Sequence, residues 1–208
     1  MRVLAVLSCV AVFAVGCQPA GGPALGPTEL PGARSDGPRL GAPEAGLPAQ
    51  LDDLLIRGRR IAEEWQEAPV LAEVEVDLDD QLRWTGARLT YLAADADRFL
   101  ALVASGSGFS EQQTTLSTLQ AQPVTAEGLD QVPAFPDRAL EPATLLEAED
   151  AQACDVRAPA SVLYVTGAPV AWDGTQWSAP PQWRVTVTSD EAGAVLDPAS
   201  GAGECLPD

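Results

Sequence analysis

The feature that most limits what this chain can fold into is a break in composition near residue 50. Residues 18–49 hold seven Pro, seven Gly and six Ala, and their few large apolar residues follow neither a helical nor a strand period. Such a segment buries too little surface to offset the entropy lost on ordering it, and a disordered tether is the expectation for 17–49. A coil of this length spans about 30 Å, with an extended limit of about 100 Å, so its role would be reach. Any packed core must therefore come from residues 50–208, enough for one ordinary domain or two small ones.

The amino terminus reads as an address. Arg2 precedes a nearly unbroken apolar stretch from Val3 to Val15. That stretch falls short of the roughly 20 residues a membrane-spanning helix needs, and it has the length of a signal-peptide core. Small residues at Ala14 and Gly16 suit cleavage before Cys17. The run Ala14-Val15-Gly16-Cys17 resembles the bacterial lipobox, whose Cys becomes the lipidated first residue of the mature protein. The resemblance implies a signal peptide at 1–16 and a lipid anchor (palmitate and related acyl chains) on Cys17. At about 0.8 kcal/mol per buried methylene, several such chains hold a protein firmly on a membrane. Gln18, where enteric sorting rules read a non-Asp residue, points to the outer membrane, with the domain facing the periplasm or the outside.

Cysteine parity agrees with that expectation. Cys9 leaves with the signal, and Cys17, Cys154 and Cys205 remain. Lipidation of Cys17 removes the odd thiol and leaves one pair, which an oxidising compartment should join as a disulfide. The enclosed loop of about 50 residues would contribute up to roughly 4 kcal/mol through the unfolded chain. No Cys-x-x-Cys motif points to a redox role.

Charge and composition exclude several function classes. The sequence has 30 acidic residues against 12 basic ones, all Arg, with no Lys, His or Asn. Without residues 1–16 it would keep all 30 acids and 11 Arg, a formal charge of −19. Such a chain repels phosphate backbones, so no nucleic-acid partner is expected. It also repels anionic lipid surfaces, so membrane contact requires the covalent anchor. The missing Lys and Asn fit the bias of a GC-rich genome, and the acidity serves solubility. The absence of His rules out Ser-His-Asp triads, Cys-His pairs and His-based zinc sites. Carboxylate-only or Tyr/Arg chemistry stays open, and no cofactor is expected.

Within 50–208, Leu51, Leu54, Leu55, Gly58, Ile61, Ala62 and Trp65 recur at spacings of three and four, an amphipathic helix that Pro69 stops. Its Arg57, Arg59 and Arg60 are placed to pair with Asp53, Glu63 and Glu64. Val70, Ala72, Val74 and Val76 then alternate with Leu71, Glu73, Glu75 and Asp77, the pattern of a half-buried strand. Strands are expected over 82–92, with a bulge near Gly86, and over 99–104. Residues 105–138 read as an irregular connector with a short strand over 114–119. The order then recurs: a helix over 143–154 with Pro142 at its start, a strand over 161–166, a hairpin 170–177 turning at Asp173-Gly174, a strand over 183–188 and a last one from Ala194 to Leu196. The resulting expectation is α+β, two helix-plus-antiparallel-sheet units of αβββ order at 50–120 and 141–208, joined by a connector at 121–140.

Trp183-Arg184-Val185-Thr186-Val187, followed by Val195-Leu196-Asp197-Pro198-Ala199-Ser200-Gly201, resembles the end of a PepSY-type domain. That family packs a helix on a short antiparallel, cystatin-like sheet. Its members occur in bacterial envelope proteins and protease propeptides, which implies binding or inhibition. The resemblance covers about 60 residues through a short motif, and after Gly201 this chain departs from the family pattern with Glu204-Cys205.

Three groups of residues are candidate sites. Trp172, Trp177 and Trp183 lie close together and offer a possible interaction surface for a sugar or a protein, with core packing as the alternative. Asp77, Asp79, Asp80, Asp95 and Asp97 crowd two turns, where oxygen-rich loops can hold calcium, although Asp is also a common turn residue. Paired carboxylates for glycoside hydrolysis are conceivable among 30 acids, but no pair stands out. The leading expectation is a non-enzymatic binding or structural module of the cell envelope, presenting a sheet or hairpin surface to an envelope protein or wall polysaccharide. A carboxylate hydrolase and a calcium-dependent adhesion module are the alternatives, separable by whether acids scatter or converge in a cleft.

Overall fold

The computed structural model describes residues 46–106, 108–115, 122–167 and 171–207. The apolar spacing of the first segment forms α1 (Leu51–Trp65), which buries Leu51, Leu54, Gly58, Ile61 and Ala62. Asp52 and Asp53 sit in its first turn, where the helix dipole favours acids. Gln50 at the N-cap gives no side-chain hydrogen bond. Instead both carboxylate oxygens of Glu141 accept from the Leu51 N–H at 3.1 Å, so a residue 90 positions further along the chain caps the helix. Arg57 pairs with Asp53 and Arg59 with Glu63 one turn on, as the spacing implies.

Four strands follow, β1 (Val70–Leu78), β2 (Trp84–Leu92), β3 (Arg98–Ser105) and β4 (Gly108–Thr115). Short helices come next, α2 (Ala126–Leu129), α3 (Pro142–Leu146) and α4 (Glu149–Ala153), and then β5 (Ala160–Val165), β6 (Arg184–Thr188), β7 (Gly193–Leu196) and β8 (Gly203–Cys205). All eight strands form one sheet in the order β4-β3-β2-β1-β5-β6-β7-β8. Every pairing is antiparallel, and the two central strands, β1 and β5, each lead a four-strand meander. The class is therefore α+β, with most regular structure in the sheet.

Strand alternation sends one set of side chains to a face covered by helices. Val74, Val76, Leu89, Leu100, Leu102, Val162, Tyr164, Val185 and Val187 form one cluster there with Leu54 of α1, Leu145 and Leu146 of α3, and Ala151 of α4. Gly58 is where α1 comes closest: a Cβ there would collide with Leu89 and stand 3.0 Å from the Tyr91 hydroxyl. A smaller cluster occupies one end of the opposite face. It joins Ala72, Leu92, Phe99 and Ala101 to Val124, Leu129, Trp172 and Trp177. Gly128 permits that contact, because a Cβ would meet the Trp172 ring at 2.7 Å.

Several expectations are corrected. The helix over 143–154 is two short helices, since Ala148 adopts an extended ψ of 146°. The break lets Leu145, Leu146 and Ala151 all reach the sheet, and the Gln152 side chain donates to the freed Leu146 carbonyl at 2.7 Å. The hairpin expected over 170–177 is, among the described residues, a single bridge between Trp172 and Trp177, with Val170 outside them. The Asp173 carboxylate accepts from the N–H groups of Thr175 and Gln176 at 2.8 Å, a side-chain turn that replaces the strand ladder. Val70 and Ala72 join the smaller cluster and not that of Val74 and Val76, because the register of β1 shifts between Leu71 and Glu73. The connector contains β4 and α2, and the strand expected over 114–119 ends at Thr115, with 116–119 outside the described residues. The bulge near Gly86 is present: Asp77 faces Gly86 while Leu78 faces Trp84, leaving Thr85 unmatched.

Candidate functional site

The register of the sheet assembles a row of side chains that crosses all eight strands on the face away from α1. At its centre Glu75 faces Arg88, which faces Val103 and then Ser110. On the other side Glu75 faces Leu163, then Thr186, Val195 and Glu204. Arg88, Ser110 and Glu204 are exposed and the others half-buried, whereas their neighbours along each of the six inner strands are buried under helices. A parallel row runs from Thr90 through Glu73 and Val165 to Arg184, and another from Asp77 through Ser161 to Thr188. The cluster of α2, Trp172 and Trp177 covers the end of this face at Ala72, Leu92, Phe99 and Ala101, and it leaves Thr90, which faces Ala101, buried; the row through Glu75 lies outside both buried clusters. The face is thus mixed: branched apolar side chains on β5 to β7 stand beside a column of acids on β1.

The electrostatics of that column are set by partial burial. Desolvation lifts the Glu73 carboxyl above its usual range; Thr90 and Arg88 oppose the shift and Glu75 adds to it. Glu75 accepts a hydrogen bond from the Ser161 hydroxyl at 3.3 Å. Burial also lifts the Glu141 carboxyl, opposed by the Leu51 N–H and reinforced by Asp52. These two raised carboxyls do not converge. Glu73 belongs to the open face, and Glu141 caps α1 on the covered side.

The three tryptophans do not form an exposed platform. Trp172, Trp177 and Trp183 are 3%, 6% and 9% exposed, which corrects the expectation of a stacking surface. Trp172 and Trp177 meet edge to face with centroids 5.2 Å apart, and the Trp177 N–H donates to the Gly128 carbonyl. Trp183 packs against Phe135 in the larger cluster and donates to the Pro133 carbonyl at 2.9 Å. Indoles have a large apolar area to bury, and here burial prevails although none of the three lies within a strand.

The turn acids serve the backbone. Asp79 accepts from the N–H groups of Gln81 and Arg83 and from the Arg83 guanidinium, the shortest contact being 2.7 Å, and these bonds hold its carboxyl below the usual range. Asp173 and Asp197 are lowered in the same way by turn hydrogen bonds, Asp197 chiefly through Ser200. Among the described residues no group of three or more His, Cys, Asp or Glu is placed to hold a metal ion, so the calcium expectation for Asp77, Asp79, Asp80, Asp95 and Asp97 has no site.

Cys154 and Cys205 are joined, with Cα atoms 5.2 Å apart, tying the end of α4 to β8. No alternation marks 203–205 as a strand; β8 forms where the bond, the ladder with β7, and a hydrogen bond from the Gly203 N–H to Asp150 at 2.8 Å hold the tail. Cys17 lies outside the described residues, and no described helix is long and apolar enough to cross a membrane. The acidic column was legible in the alternation of β1. The partners that complete the face were not, because they depend on which strands pair. No family model, no curated protein and no solved structure matches this chain.

Proposed function

We propose that the chain is a non-enzymatic binding or structural module of the bacterial cell envelope, held by lipid on Cys17, whose open sheet face meets an envelope protein or wall polymer. The observation that carries this reading is the row through Glu75, Leu163 and Thr186, which leaves Leu163 half-exposed on the sheet, outside both buried clusters of the described residues. A stiff, shallow face of mixed character suits a macromolecular surface better than a small substrate. The two carboxyls raised by burial, Glu73 and Glu141, stand on opposite faces of the sheet, which favours a binding surface over an acid pair in a cleft. The matching order of the two halves, helix followed by an antiparallel meander, supports reading them as two PepSY-like units joined through their first strands.

Two variants test the proposal in the source cells. Cys17→Ser should move the protein from the membrane fraction to the soluble fraction. Leu163→Arg should leave the fold intact and remove whatever envelope component co-purifies with the unaltered protein. Retention of that component by Leu163→Arg refutes the assignment of the face.

A further inference from the structure

A second site lies on the covered side, at the end of the sheet where β1 begins, and its argument is independent of the open face. There the segment Pro133 to Pro136 passes beside α1 and leaves a groove of about 570 Å³. That volume falls within the roughly 300–1,000 Å³ of small-molecule sites. Leu55, Leu71 and Phe135 supply apolar lining. The charged lining is chiefly acidic, with Asp52, Asp137 and Glu141. The cation beside them, Arg59, is engaged by Glu63 at 3.0 Å.

The lining also includes Tyr91, which is only 2% exposed. Its hydroxyl has no hydrogen-bond partner among the described residues. The contrast is Tyr164, equally buried, whose hydroxyl donates to the Leu140 carbonyl at 2.6 Å. Desolvation pushes both phenols upward, so each remains a neutral hydroxyl that can donate and accept. The Tyr91 hydroxyl is not sealed from solvent, as the unpartnered Thr90 Oγ1 and Trp172 Nε1 are, so a ligand in the groove can supply the hydrogen bond it lacks.

We propose that this groove binds a small amphiphilic amine: an apolar body against Leu55, Leu71 and Phe135, an ammonium among Asp52, Asp137 and Glu141, and a polar atom meeting the Tyr91 hydroxyl. An anion would be repelled by three carboxylates. A neutral ligand would exclude water from Glu141 without supplying a counter-charge, whereas an ammonium compensates the burial that already disfavours that carboxylate.

Calorimetry on the full mature protein in detergent tests this with an isosteric series. Tyramine should bind. 4-Ethylphenol, which lacks the amine, should bind about tenfold more weakly, and 3-(4-hydroxyphenyl)propionate should not bind. Asp137→Asn, at an exposed position that leaves the core untouched, should weaken tyramine severalfold. Tyr91→Phe should abolish the preference for tyramine over phenethylamine. Absence of tyramine binding at millimolar concentration, or equal binding of the amine and 4-ethylphenol, overturns the proposal.

Discussion

The two faces of this sheet are built from the same strands, yet they are made for different surroundings. On β1, Val74 and Val76 are fully buried under helices, while Glu73 and Glu75 between them are half-exposed. On β5, Val162 and Tyr164 are fully buried, while Leu163 and Val165 stand half-exposed between them. Backbone geometry is common to both faces, so what differs is the cover. Helices α1, α3 and α4 remove one face from water, and stability depends on the apolar identity of its residues. The other face is released from that requirement, and it still keeps Val103, Leu163, Val165 and Val195 where polar residues would serve a solvated surface equally well.

The comparison can be broken most severely at its covalent brace. The bond Cys154–Cys205 holds α4 against the shortest strand. Replacing both residues with Ser should lower stability by about 4 kcal/mol at most. Hydrogen exchange should speed up first in β7 and β8, while β1 to β3 stay protected. Next, Leu54→Ala removes a fully buried side chain from the covered face and should cost about 3 kcal/mol by chemical denaturation.

Glu73→Gln sharpens the contrast from the other direction. The Glu73 carboxyl binds its proton more tightly in the folded chain than at the ordinary value of 4.5, chiefly through burial. Stability from this group is therefore full at low pH and declines as pH rises through the raised value. The Gln variant should melt higher than the unaltered protein at pH 7 and indistinguishably at pH 4. Smallest of all, Leu163→Ser on the open face should change stability by less than about 0.5 kcal/mol. A loss as large as that of Leu54→Ala would mean that Leu163 is core and the face is not free.

Much of the covered face was legible in the sequence. The three-and-four spacing of Leu51 to Trp65 and the two-residue period of β1 report burial directly. What could not be read locally was anything decided by a distant partner. Glu141 caps α1 across 90 positions, and the pairing of β1 with β5 joins segments separated by a long connector. Trp172 and Trp177 carried no signal of side: their burial follows from α2, whose Gly128 admits the indole. The break at Ala148 was hidden because Ala is a strong helix former, and tertiary packing overrode that preference.

The most direct test of the open face is photocrosslinking in the source cells, with a benzoylphenylalanine placed at Leu163 and, in a second strain, at Ile56. Ile56 is 70% exposed on the solvent side of α1 and reports chance encounters. The account predicts a discrete crosslinked product from position 163 and none from 56. No product from 163, or the same product from both positions, would contradict it.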